Sequence, residues 1–149
     1  INKRSFIMMT DEEIIKIFKK KMKFEIGCTF AGMFTLMLCV FIIFANCIPD
    51  GLVIAFIAMI LFCCIALIYE LYVRFYNLKS IKEGNYSICI NHTVGSVDSD
   101  SRGGLSIRVK DCDEDFGFIS DDIENFSNKV YCVTTKKGTY PVCFCKEDI

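Results

Sequence analysis

The stretch that decides the fold is IGCTFAGMFTLMLCVFIIFANCI (Ile26–Ile48), then Pro49-Asp50-Gly51, then LVIAFIAMILFCCIALIYELYVRFY (Leu52–Tyr76). The first run carries no charged residue, and the second carries none before Glu70. An apolar helix of about 20 residues crosses the roughly 30 Å hydrocarbon core of a bilayer. Both runs reach that length, and a three-residue connection permits only an antiparallel return. The reading is a two-helix transmembrane hairpin, residues 26–76, with spans over 26–48 and 52–76.

Composition agrees. The 149 residues are 53% hydrophobic, with a mean hydropathy of +0.41. The net charge of −1 is unevenly spread: residues 1–25 hold seven Lys/Arg against four Asp/Glu, and residues 77–149 hold nine against twelve. The first run is longer than the apolar core of a secretory leader, and a second run follows at once, so it is expected to stay in the protein. Lys19, Lys20, Lys21 and Lys23 precede span 1, and Arg74, Lys79 and Lys82 follow near the end of span 2, while the turn has only Asp50. Positive residues mark the cytoplasmic side. The expected location is the cell membrane, multi-pass, with both termini cytoplasmic. Tyr69, Tyr72, Phe75 and Tyr76 suit an inner aromatic belt.

Upstream, Thr10-Asp11-Glu12-Glu13 matches a capping box, in which Thr10 caps a helix start and Glu13 reaches back. Ile14, Ile15, Phe18, Met22 and Ile26 then share one helical face, with Lys16, Lys19, Lys20 and Lys23 mostly opposite. Residues 1–25 therefore read as an amphipathic helix, either lying on an anionic leaflet or extending span 1 into the cytosol. Residues 1–9 show no period.

Within span 1, Gly27, Ala31 and Thr35 recur every four residues, with Gly32 alongside. Such a seam lets another helix approach closely, either span 2 or a second protomer. Glu70 is embedded in the second run, with Arg74 four residues on. An i,i+4 pair at the membrane interface is expected, although intramembrane acids are also candidates for gating or proton-linked roles.

From Asn77 the pattern changes to short alternating runs: Tyr86–Val94, Leu105–Lys110, Phe116–Ile119, Lys129–Thr135 and Thr139–Cys145, the last two joined by Lys136-Lys137-Gly138. Gly95–Gly104 reads as a loop, and Ser120–Phe126 as one helical turn. Residues 77–149 thus predict a small five-stranded antiparallel β-domain of SH3-like or OB-like type. The whole is an α+β membrane protein.

Chemistry is hard to place. No phosphate-binding loop, zinc-protease helix or nucleophile elbow is present. His92 is the only histidine. Cys143 and Cys145, with Cys112, Cys132 or His92, lack the paired CxxC spacing of a zinc site. Asp111-Cys112-Asp113-Glu114-Asp115 has Phe116 where a calcium loop needs glycine, so Asp111, Asp113, Glu114 and Asp115 read as an acidic turn available to a partner. The sequence calls for no metal and no cofactor. An acidic tail without a basic aromatic stripe argues against a nucleic-acid polymer.

Ile123-Glu124-Asn125-Phe126, Lys129-Val130-Tyr131-Cys132-Val133 and Gly138-Thr139-Tyr140-Pro141-Val142 together resemble the closing hairpin of NfeD-like OB domains in small bacterial two-span membrane proteins. Ser127-Asn128 stand where that family has a glycine. The order of segments is also similar to antiphage effectors, in which a two-span anchor precedes a β-barrel that binds cyclic nucleotides. The expected function is a non-enzymatic binding, sensing or assembly module on a membrane anchor, self-associating or joined to another membrane protein. The alternative is a membrane-active effector or pore gated through the β-domain.

Overall fold

A computed structural model describes residues 6–7, 9–46, 50–99, 104–119 and 127–147. The element order is β1 (Phe6–Ile7), α1 (Asp11–Ala45), α2 (Asp50–Lys82), β2 (Ser87–Ser99), β3 (Gly104–Val109), β4 (Phe116–Ile119), β5 (Lys129–Thr135), β6 (Gly138–Phe144) and β7 (Lys146–Glu147). Two long apolar helices thus precede a five-stranded antiparallel sheet, as the hydropathy pattern implied. The chain divides into two compact units, residues 22–78 and residues 1–21 with 79–149. The described residues up to Lys21 thus group with the β-domain.

The helix ends follow local chemistry. The Thr10 backbone N–H donates to Glu13 Oε2 at 3.2 Å, and the Glu13 N–H donates to Thr10 Oγ1 at 3.4 Å. This is the capping box read from the sequence. At the other end, Gly84 adopts φ +77. Its N–H donates to the Ile81 carbonyl at 3.2 Å, and the Asn85 N–H donates to the Ser80 carbonyl at 2.8 Å. That pair of bonds is a Schellman cap, which glycine permits because it has no Cβ.

In the helical unit, the less exposed positions of α1 include Met22, Ile26, Thr29, Met33, Leu36, Val40 and Ile43. Those of α2 include Val53, Ile57, Ile60, Cys64, Leu67 and Leu71. Spacings of three and four residues on both helices are those of an antiparallel pair at a shallow crossing angle. Both helices are long and apolar enough to cross a membrane, and only 6% of each apolar window is buried.

The β unit is a barrel-like sheet of order β4-β3-β2-β5-β6. After the β2-β3-β4 meander the chain returns to the free edge of β2, a Greek-key order, and β6 completes the five-stranded pattern of an OB-type barrel. Long β2 serves both halves: Ser87–His92 pair with β5, and Thr93–Ser99 pair with β3 across a register shift between Val94 and Asp98. Gly95 sits at φ +87 in that shift, as bulges commonly require. The expected loop over Gly95–Gly104 is therefore strand through Ser99, because the bulge lets β2 bend and go on pairing. Ser120–Phe126, read as a helical turn, lies outside the described residues.

Inside, Ile107 and Val109, Phe116 and Phe118, Val130 and Cys132, and Phe144 form the core. Phe116 and Phe118 of β4 meet Phe144 of β6 edge-on, with ring centroids 4.8 and 5.1 Å apart. The two edge strands thus share one aromatic cluster, and each such pair adds about 0.5–1.5 kcal/mol beyond burial. Two bonds bridge the same gap. The Asp113 N–H donates to the Thr139 carbonyl at 3.1 Å, and the Thr139 N–H donates to Asp113 Oδ2 at 2.8 Å.

The outer face of β5 and β6 is covered too. Val133 pairs with Tyr140, and Tyr131 with Cys143; cross-strand partners share a face. The Met9 N–H donates to Tyr131 Oη at 3.2 Å, and Cys143 Sγ lies 3.8 Å from Met9 Sδ. Phe18, at 0% exposure, places its ring 6.2 Å from that of Tyr140. Lys21 Nζ donates to the Pro141 carbonyl at 3.1 Å. Residues 6–7, without pattern in the sequence, pair with residues 146–147. The segment does continue into span 1 as one helix, but its apolar face lies neither on a leaflet nor in water: Phe18 packs on the protein's own sheet.

Two substitutions test this packing. Phe18→Ala is expected to cost about 3–5 kcal/mol. At Gly138, φ +154, an added Cβ would land on the Asp113 carboxylate. Gly138→Ala should cost about 1–3 kcal/mol, and less when combined with Asp113→Ala, which removes the obstruction. Denaturation of the full chain in detergent, read by near-UV circular dichroism, gives both values.

Candidate functional site

The polar feature of the helical unit is a fork on Arg74. Its Nε donates to Glu25 Oε2 at 3.0 Å, and its Nη1 donates to Glu70 Oε2 at 3.2 Å. The expected Glu70–Arg74 pair is present, one turn apart on α2. Glu25 of α1 completes the fork, and sequence spacing could not reveal a partner 49 residues away. The Arg74 and Glu25 side chains are 17% and 22% exposed, against 52% for Glu70. Burial weakens solvent screening, so the cross-helix bond outweighs the exposed i,i+4 pair, for which about 0.3–0.5 kcal/mol is typical.

The small-residue seam does not lie uniformly on the inner side of the hairpin. Gly27, Ala31 and Thr35 are exposed, whereas Gly32 is half-buried. A Cβ added at Gly27 or Gly32 would meet nothing within 4 Å. Thr35 Oγ1 donates to the Ala31 carbonyl at 3.0 Å, which satisfies its hydroxyl without a partner helix. Farther along, Leu36, Cys39, Ile42 and Ile43 of α1 and Phe56, Met59 and Ile60 of α2 line an apolar cavity of about 380 Å³.

In the β unit the acidic turn joins β3 to β4. Asp111 adopts φ +61, a conformation Asp tolerates better than most residues. Asp113 is committed to Thr139 as described above, and Asp115 is exposed. Glu114 is half-buried. The turn is thus partly structural, and Asp113 closes the barrel.

The cysteines fall on different faces. Cys132 is fully buried, with its Sγ 3.4 Å from Cys112 Sγ, and Cys89 pairs with it across β2 and β5. Cys143 belongs to the outer face with Tyr131. Among the described residues no group of three ligand-type side chains is placed to hold a metal. Burial pushes both thiols up from the ordinary 9.0, and for Cys132 the hydrogen bond with Cys112 adds to it. Thiolate is the nucleophile, so this pair is chemically quiet.

The basic residues divide. Lys21 is drawn onto the sheet through Pro141, while Lys19, Lys20 and Lys23 are exposed. Sequence reasoning missed the exposed apolar residues of β2: Ile90 and Val94 share the outer face at 44% and 48% exposure, and Val97, beyond the register shift, is 40% exposed. Alternation over Tyr86–Val94 was legible, but which of those side chains the fold leaves exposed was not, and Val97 fell in the expected loop. Comparison with protein-family models, curated proteins and solved structures finds no match. The molecule is therefore defined by its architecture: two membrane-length apolar helices and a small barrel-like β-domain.

Two measurements test these assignments. Arg74→Leu should destabilise the hairpin by about 1–3 kcal/mol, because Glu25 loses a charged hydrogen-bond partner, whereas Glu70→Gln should cost under about 1 kcal/mol. Thermal unfolding in detergent gives the order. Cys132 should resist iodoacetamide at pH 8 and react on denaturation, as read by peptide mass. The unfolded chain releases these thiol protons first once pH passes about 9, so this contribution to stability is present below that pH and lost above it.

Proposed function

We propose that the protein is an integral membrane protein whose hairpin spans the bilayer with both ends on the cytoplasmic side. Its β-domain is a non-enzymatic module that binds a protein partner or assembles copies of the chain. The membrane half of this reading is supported by what the two helices leave outside: Phe30, Phe34, Phe41, Phe44, Phe56 and Phe62 are all exposed. In water such a surface would drive aggregation; in lipid it is solvated. The aromatic and basic residues near the ends of the apolar runs support the orientation.

The observation that carries the binding half is the exposed apolar pair Ile90 and Val94 on the outer face of β2, opposite Tyr131 and Arg108. These are large apolar side chains outside the candidate spans, on the part of β2 that pairs with β5 through His92 and with β3 at Thr93 and Val94. Apolar side chains held on a paired strand lose little entropy on association, which suits them to a protein surface.

Native mass spectrometry of the detergent-solubilised protein tests the reading. The expected result is a defined oligomer or a stoichiometric second protein, released by Ile90→Asp with Val94→Asp. Because both sites are exposed, stability should stay within about 0.5 kcal/mol. A monomer without a co-purifying protein would overturn the module. Dye-filled liposomes carrying the protein should remain sealed, and leakage on adding cyclic nucleotides would move it to the effector class.

A further inference from the structure

Lys16, Lys19, Lys20 and Lys23 lie three, four and seven residues apart on the single helix α1, which puts them on one face. All four are exposed, and among the described residues none joins an ion pair. The face roughly opposite is already taken, since Phe18 is buried with its ring on Tyr140. Lys21, at the margin of that covered face, is held by the Pro141 carbonyl. The helix therefore cannot roll its amphipathic face onto a leaflet without leaving the sheet. What it has free is the row of ammonium groups, flanked by exposed Ile17 and Phe24, which are seven residues apart and so lie on one line.

We propose that this face binds anionic phospholipid, with the lysines on headgroup phosphates and Phe24 at the boundary between headgroups and acyl chains. The inference rests on the membrane reading above. Charge complementarity selects the headgroup, and exposed Phe24 selects a lipid over a soluble anion. At about 1.5 Å per helical residue, Lys23 stands about 4.5 Å before Ile26, Lys20 about 9 Å and Lys16 about 15 Å along the helix. The headgroup layer is roughly 5–7 Å thick on each side of the hydrocarbon, and a lysine side chain reaches several ångströms toward it. Lys23 and Lys20 are the principal ligands, Lys19 contributes, and Lys16 acts through the longer-range field. This grading distinguishes a lipid site from a diffuse positive charge.

The test reconstitutes the full chain into vesicles of phosphatidylcholine alone or with a minor fraction of phosphatidylglycerol. Flotation after carbonate extraction comes first. Failure to float with either composition overturns the membrane reading itself. Spin-labelled phosphatidylglycerol then reports lipid held at the protein against labelled phosphatidylcholine. The expected result is a preference for the anionic lipid that falls with salt. It should drop about fivefold for Lys23→Gln or Lys20→Gln, less for Lys16→Gln, and not at all for Lys136→Gln. These single changes on an exposed face keep the fold, which circular dichroism verifies. A floating protein whose preference is unchanged in Lys20→Gln with Lys23→Gln overturns the site while leaving the membrane reading intact. Displacement of the labelled lipid by inorganic phosphate at equal concentration would reassign it to a small anion and overturn the lipid.

Discussion

Strand β5 is buried on both faces, and the β unit is built around that constraint. Val130 and Cys132 turn into the barrel, where they meet Ile107, Val109 and Phe144. Tyr131 and Val133 turn outward and are equally buried. A strand of an antiparallel sheet in water ordinarily keeps one face polar. Here the second face needs a cover, and residues 9–21 supply part of it through Met9, Phe18 and Lys21. The pairing of residues 6–7 with 146–147 ties down the end of that cover. Full burial of Phe18 contributes about 1.5–3 kcal/mol, a sizeable share of what a domain this small can gain.

Closure of the barrel depends on a second economy. A five-stranded sheet leaves two edges, and bare edges invite pairing with other chains. The gap between β4 and β6 is filled by three phenylalanine rings inside and bridged by Asp113 and Thr139 at the rim. Asp113 can sit there only because Gly138 has no Cβ. An aspartate that reads as surface charge is thus one half of a structural contact, and the glycine that reads as a simple turn residue is the other.

The helical unit obeys a different rule. Its inward positions repeat every three to four residues, and its outward ones carry aromatic and aliphatic side chains in numbers that water would not tolerate. Near one end Arg74 holds a carboxylate from each helix. That arrangement shares one guanidinium between two carboxylates, of which Glu25 is the better shielded from solvent. The seam residues Gly27, Ala31 and Thr35 stay on the exposed side, so this helix pair does not use close small-residue contact along that line.

Periodicity and length alone determined a good deal. Uncharged runs of span length with a three-residue connection specify a helical hairpin. Thr10 with Glu13 specifies where α1 starts, and alternation around Lys136-Lys137-Gly138 specifies the last β-hairpin. These are local effects, set by side chains within a few residues of one another, and so they are legible in one dimension. Tertiary structure decided the rest: that the apolar face of residues 14–18 meets a sheet, that Glu25 joins Arg74, that Asp113 latches onto Thr139, and that β2 continues through Gly95. Each of these pairs groups distant in the chain, or follows from which face of an element the fold covers. Amphipathic spacing fixes that a face must be buried; only the packed molecule says against what.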